Sequence, residues 1–210
     1  MSAEPAEQVE GPPPPAPGGE ATTASWGGLG RQLLSLLLWV GLALVLRTWV
    51  VEPRWIPSGS MLPSLQLQDR ILVEKLRPRL GLPLRPGTVV VFHPPANLVA
   101  AGYDPRAALI KRVVAGPGET VAVQDGHLLR DGVTVSPDWT PATMDYSQEI
   151  NTVPPGQLWV LGDNRNASLD SHVWGPLPQD EVIGTAIWRY WPLNRFGPIR
   201  FSPITDSRST

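Results

Sequence analysis

Three short segments of this chain hold side chains that could do chemistry together. The first, Ile56-Pro57-Ser58-Gly59-Ser60-Met61-Leu62-Pro63-Ser64-Leu65, puts three serines within seven residues. Its two prolines stiffen the backbone and Gly59 permits a close approach, so a hydroxyl can be fixed where neighbouring donors converge. Stabilising an oxyanion requires that arrangement. A polar loop without chemistry has the same composition. The second signal is lysine usage: Lys and Arg total 17, yet Lys75 and Lys111 are the only lysines. Arginine stays protonated in a protein, whereas a lysine amine desolvated by apolar neighbours can lose its proton near neutral pH and act as a base. Lys111 lies in Ala107-Ala-Leu-Ile-Lys-Arg-Val-Val-Ala115, where strand alternation sets it on the face of Leu109 and Val113. A lysine at a sheet edge fits the same pattern. Lys75, beside Glu74 and near Arg77 and Arg79, reads as a solvated charge. The third segment, Leu161 to Gly175, packs Asp163, Asn164, Arg165, Asn166, Ser168, Asp170 and His172 behind an apolar run. Such a loop can satisfy buried donors and hold a hydroxyl against an amine. It also resembles an oxygen-rich calcium loop, although it lacks the usual ligand spacing and a closing glutamate.

Composition narrows the chemistry. With no cysteine there is no disulfide, thiolate nucleophile or Cys-ligated zinc, and His93, His127 and His172 are scattered without metal-ligand spacing. No metal or cofactor is expected. A formal net charge of −2 without a basic run argues against nucleic acid as a partner.

Positioning these segments requires a scaffold. Residues 1–28 are rich in Pro, Glu and small residues and read as a disordered tail. QLLSLLLWVGLALVL, from Gln32 to Leu46, reaches only about 22 Å, but continuing through Val51 brings it to bilayer thickness, with Arg47 able to snorkel and Trp49 and Trp55 at the interface. Residues 29–51 are therefore expected to be an uncleaved transmembrane anchor: the preceding tail is acidic and no small-x-small cleavage site follows. Arg31 before the span and Arg47 and Arg54 after it argue weakly for a cytoplasmic C-terminal side. From residue 52 to 210, Val- and Ile-rich runs at Arg70–Lys75, Thr88–Phe92, Ile110–Ala115, Leu158–Leu161 and Val182–Trp191 read as strands. Asp125-Gly126 and Asp131-Gly132 predict two type I′ hairpins and a three-stranded meander. No helical pattern alternates with the strands, so the expected fold is mainly β, an antiparallel sheet domain behind a single N-terminal transmembrane helix.

Four boxes in order behind that anchor, PSGSMLPSL (57–65), DRILVEK (69–75), IKRVVAGPGE (110–119) and GDNRNASLDSHVWG (162–175), resemble those of bacterial type I signal peptidase, a Ser/Lys dyad protease family. The resemblance covers about residues 52–187. It implies a single-pass membrane protein whose β-rich domain faces away from the cytoplasm and removes signal peptides from translocated precursors, which overrides the weak charge asymmetry. It further implies Ser60 as nucleophile, Lys111 as general base, Ser58 with the Ser60 N–H as oxyanion donors, and Ser168 as the residue orienting the amine. Asp163, Arg165, Asp170 and Arg112 are implied as supports, and Ile56, Met61, Leu65 and Ile110 as lining for shallow pockets that accept small side chains.

The sequence departs from the family pattern at Asn166-Ala167, where Asp-Asn is common, and at His172, where an arginine is expected. Arg54 stands where an apolar residue often borders the cleft. Two competing readings are a Ser/His/Asp hydrolase built on one of the three histidines and a membrane-tethered β domain that binds without catalysis.

Overall fold

The computed structural model describes residues 26–135, 143–199 and 201. The tail expected over 1–28 lies outside them up to residue 25. The chain divides into two units, residues 1–41 and 42–210. In the first, helix α1 (Trp26–Val45) begins and runs on past Gly41; a π-helical turn, Leu46–Val50, then extends it. The apolar stretch Gly30–Val50 is 21 residues long with essentially no burial, a length of about 31 Å, which matches a hydrocarbon core. It stops one residue before the expected anchor does. Val51 has extended geometry and opens strand β1 (Val51–Trp55), so Trp55 belongs to the β structure.

In the second unit the strands follow in sequence: β2 (Arg70–Glu74), a short helix α2 (Leu76–Arg79), β3 (Val89–Phe92), α3 (Ala96–Ala100), β4 (Leu109–Ala115), β5 (Thr120–Gln124), β6 (His127–Arg130), β7 (Val133–Val135), β8 (Gln148–Thr152), β9 (Gln157–Leu161), α4 (Ser171–Trp174), β10 (Leu177–Pro178), β11 (Val182–Trp191) and β12 (Gly197–Pro198). One sheet has the order β1-β2-β11-β3-β4-β9-β10, with β12 on β11; a smaller sheet has the order β7-β6-β5-β8. Their pairings are antiparallel. Both predicted hairpins form, and Asp125 and Gly126 (φ 49° and 76°) and Asp131 and Gly132 (φ 50° and 74°) supply the left-handed pairs a type I′ turn requires.

Burial alternates along β2, where Ile71 and Val73 face inward, but not along the central strands. The four-residue β3 is buried on both faces, and β4 is buried from Ile110 to Ala115, as expected for central strands. Ile56, Met61, Leu65, Ile71, Val73, Val89, Val91, Ile110 and Ala186 form one apolar group. Val113, Val90, Phe92, Leu158, Val160 and Trp174 belong to a second. A third joins the two sheets through Val114, Val121, Val123, Trp159 and Leu161. Lys75 corrects the sequence reading: it is 8% exposed and its Nζ donates to Glu52 Oε2 at 3.3 Å. Its backbone N–H bonds Val50 O, which draws the side chain in against β1.

Candidate active site

Ser60 sits in the turn after β1, and that turn is fixed at both ends. Ile56 N donates to Asp69 O and Gln68 N to Ile56 O, closing the loop that β1 and β2 flank, while Leu62 N donates to Gly59 O and Leu65 N to Met61 O inside it. Asp69, fully buried, accepts from Gln66 N at 2.9 Å and pairs with Arg189 and Arg195 near β11. The apolar side chains Ile56, Met61 and Leu65 point into one group with Ile110 of β4. The loop therefore lies over the strand that carries Lys111.

Lys111 is 5% exposed, and β4 runs between β3 and β9 with Lys111 opposite Val90. Its Nζ lies 2.9 Å from Ser60 Oγ, a hydrogen bond between residues 51 apart in sequence. Ser58 Oγ stands 3.3 Å from the same Oγ; Ser58 is exposed, whereas Ser60 is 9% exposed. Burial lowers the Lys111 pKa from its ordinary 10.5 to about 8, against the opposing pull of the Asp170 and Asp163 charges. Desolvation dominates because the amine has an ionised partner only at a distance.

The loop after β9 closes the site from the other side. Arg112↔Leu161 pairing brings Asp163 beside the Arg112 guanidinium, which donates from Nε to Oδ1 at 2.8 Å and from Nη2 to Oδ2 at 2.7 Å. Arg112 Nη1 also donates to Gly87 O at 2.8 Å. This bidentate buried pair fixes the loop to β4 one residue from Lys111. Asn164 holds the Ser60 turn directly, its N–H donating to Ser60 O at 3.1 Å and its Nδ2 to Gly59 O at 3.1 Å. Asp170, with no exposed surface, caps α4, accepts from Gly162 N at 2.8 Å and lies 2.7 Å from His172 Nδ1. The imidazole stacks on Tyr146 with centroids 4.1 Å apart.

The remaining expected residues are placed less simply. Ser168 Oγ is buried and has no hydrogen-bond partner among the described residues; it lies against Gly162, beside the Ser60 carbonyl, and the Lys111 amine bonds Ser60 instead. Arg165 is 3% exposed, its Nε and Nη2 have no hydrogen-bond partner among the described residues, and burial lowers its pKa, with Asp163 the main opposing charge. Asn166, one of the departures, bonds Asp145 N and Thr143 O, so it ties its loop to the segment before β8. Arg54 pairs with Glu52 at 2.7 Å on the half-exposed face of β1. The carboxylates of the supposed calcium loop are already engaged, Asp163 by Arg112 and Asp170 by Gly162 and His172. His172 makes a His–Asp pair, but Ser60 Oγ is bonded by Lys111 and Ser58.

Sequence reasoning passed over three residues of this site: Gly162, Asn164 and Tyr146. Gly162 and Asn164 stand inside a quoted box, Asn164 as one of its polar residues, but neither is assigned a role at Ser60 by the sequence. Tyr146 lies 26 residues from the histidine it stacks on, and nothing local marks it.

A family model described as signal peptidase, peptidase S26, matches residues 29–191. The chain is 43% identical over 184 residues to a probable signal peptidase I-1 of Synechocystis sp., covering 88% of this chain and 93% of that one. It is 44% identical over 160 residues to a signal peptidase I of Leptolyngbya laminosa, covering 76% and 78%. A probable thylakoidal processing peptidase 2, chloroplastic, of Arabidopsis thaliana is 42% identical over 160 residues, which cover 76% of this chain and 43% of the plant protein.

Proposed function

The chain belongs to the signal peptidase family, peptidase S26, and on that premise we propose that it is a membrane-anchored serine endopeptidase that removes N-terminal signal peptides from translocated precursors, with Ser60 as nucleophile and Lys111 as general base. The observation that carries the dyad is the 2.9 Å contact between a buried amine and the Ser60 hydroxyl, with the amine's pKa brought down to about 8. A lysine so placed is neutral in a useful fraction of molecules near neutral pH and can accept a proton.

In this reading the neutral amine takes the Ser60 proton as Oγ attacks the scissile carbonyl. The Ser60 N–H and the Ser58 hydroxyl stabilise the oxyanion. The ammonium then returns its proton to the leaving amine, and an acyl-enzyme on Ser60 remains. Water attacks that ester as Lys111 accepts one of its protons; the bond between the acyl carbon and Ser60 Oγ then breaks, the ammonium returns the proton to Oγ, and the signal peptide leaves as a carboxylate. Arg112 and Asp163 hold the loop against β4, Asp170 fixes Gly162 and α4, and Ser168 packs against Gly162 while Arg165 is buried near Asp163. Ile56, Met61, Leu65 and Ile110 are the residues assigned to the pockets for small side chains before the cut; they are packed together in one buried apolar group beneath the Ser60 turn.

Residues 29–51 serve as the anchor and 52–210 as the peptidase domain. The domain works on the extracytoplasmic side of a bacterial cell membrane or an internal membrane, where translocated precursors present their signal peptides beside the bilayer. Replacement of Ser60, Lys111, His93, His127 and His172 in turn, with precursor cleavage as readout, tests the assignment. Loss at Ser60 and Lys111 alone selects the dyad. Loss at a histidine selects a triad, and an inactive parent selects a non-catalytic binding domain.

A further inference from the structure

The ten residues Leu76 to Arg85, LRPRLGLPLR, contain four leucines and three arginines and no acid. They form α2 and the connection to β3. Leu84 is buried in the core, whereas Leu76, Leu80 and Leu82 are 38%, 67% and 48% exposed. A single exposed leucine is ordinary, but three interleaved with arginines make an amphiphilic surface.

This loop is tied to the end of the apolar helix. Lys75 N, just before it, donates to Val50 O at 2.9 Å. Arg79 Nη1 donates to Trp49 O at 3.1 Å, and the Arg79 guanidinium lies 5.1 Å over the Trp49 ring, which is itself exposed. Behind the loop is a cavity of about 520 Å³ lined by Arg77, Leu82 and Arg85 and, from β11 and beyond, by Thr185, Ile187 and Ile199. The Arg77 guanidinium has one long contact, 3.5 Å to Pro83 O, and Arg85 has no ion-pair partner among the described residues. Glu74, the acid preceding the loop, is occupied by Arg77 N and Thr185 Oγ1.

We propose that the 76–85 loop docks on anionic phospholipid headgroups of the bilayer that the apolar helix enters, with Arg77, Arg79 and Arg85 on the phosphates and Leu80 and Leu82 in the acyl boundary. The proposal rests on the reading of residues 29–51 as an anchor. Chain continuity selects the occupant: Trp49 and Val50 leave the bilayer at the headgroup layer, and their hydrogen bonds keep the loop at that depth. Guanidinium groups match phosphate oxygens in pairs, and Trp49 is the aromatic type that favours this layer. The docked loop would hold the Ser60 turn, which β1 and β2 flank, at a set height above the membrane.

Because the chain has no cysteine, one introduced cysteine reports one place. Full-length Leu82→Cys and Leu37→Cys proteins, each spin-labelled, are reconstituted in nanodiscs of phosphatidylcholine with or without phosphatidylglycerol, and label depth is read from collision with oxygen and an aqueous nickel chelate. The Leu37 label is expected in hydrocarbon in both lipids. The Leu82 label is expected at the acyl boundary when phosphatidylglycerol is present, and Arg77→Gln with Arg85→Gln should weaken that docking about 25-fold, roughly fivefold per arginine. A Leu37 label in water overturns the anchor and this proposal together. A Leu37 label in hydrocarbon with the Leu82 label in water in both lipids overturns the docking alone. So does a Leu82 label that is buried only when a signal-peptide substrate is added, which assigns the loop to peptide.

Discussion

Gly162→Ala should disable the enzyme while leaving the identities of Ser60 and Lys111 unchanged. A Cβ at Gly162 would sit 2.5 Å from the Ser60 carbonyl oxygen and the same distance from Ser168 Cβ, with Ser168 Oγ closer still, whereas ordinary contact begins at 3.4 Å. Neither neighbour yields cheaply. The Ser60 carbonyl is backbone, held by Asn164 N at 3.1 Å, and Gly162 N is fixed to the buried Asp170 carboxylate at 2.8 Å. Relief therefore requires the Ser60 turn and the 162–170 loop to part by about 0.9 Å, which is a misplacement that costs on the order of 10²-fold in rate. Overpacking of this kind also costs about 1–3 kcal/mol of stability. The assay is kcat and KM on a synthetic precursor with melting temperature measured in parallel. Gly116→Ala is the matched control, because its Cβ meets nothing closer than Glu119 Oε2 at 3.7 Å. A fall in kcat of about 10²-fold in Gly162→Ala, with Gly116→Ala near the parent, is the expected result. Gly162→Ala within threefold of the parent, at an unchanged melting temperature, would refute the close approach of the two loops.

Lys111→Met should be inactive and yet more stable at about pH 6. The unfolded lysine keeps its proton to 10.5 and the folded one loses it near 8, so the burial cost of about 3 kcal/mol is fully present below pH 8 and fades as pH rises to 10.5; an unchanged or lower melting temperature at pH 6 contradicts it. Asp170→Asn removes the larger of the two charges that raise the Lys111 pKa, so the kinetic pKa should fall below the parent's, and an unmoved pH–rate profile would show that this charge does not reach the amine. A precursor carrying Phe immediately before the cut should be spared, since pockets sized for small residues reject it by overpacking; efficient cleavage of it would displace the pocket assignment.

The parts of the fold that rest on strong local signals were legible in the sequence. The Asp-Gly pairs dictate their turns through backbone sterics alone, and the apolar runs of β3, β4, β9 and β11 announce central strands. β8 was not read, because Gln148–Thr152 offers little apolar alternation and its strand character comes from pairing with β5. β1 is not among the strands the sequence predicts, and its first residue, Val51, falls in the expected anchor, since Val50 and Val51 are alike in chemistry and only the register Val51↔Glu74 separates helix from strand. At the site, rare lysine usage and a stiff serine turn pointed to Ser60 and Lys111, but the same reasoning dismissed Lys75, whose burial depends on Glu52, 23 residues away. Asn164, Gly162 and the Tyr146–His172 stack depend on contacts between loops far apart in sequence, and no local pattern encodes such distances.

The central claim is that neutral Lys111 takes the proton of Ser60, and the pH dependence of single-turnover cleavage by the purified full chain, parent against Lys111→Arg, tests it most directly. With a pKa of about 8, the neutral amine rises from about 1% of molecules at pH 6 to half at pH 8, so the parent rate should climb about 50-fold over that interval and level off above it. Lys111→Arg, permanently charged, should show no turnover from about pH 5 to about pH 9. A flat parent profile, or Lys111→Arg turnover within tenfold of the parent, would contradict the assignment of Lys111 as the base.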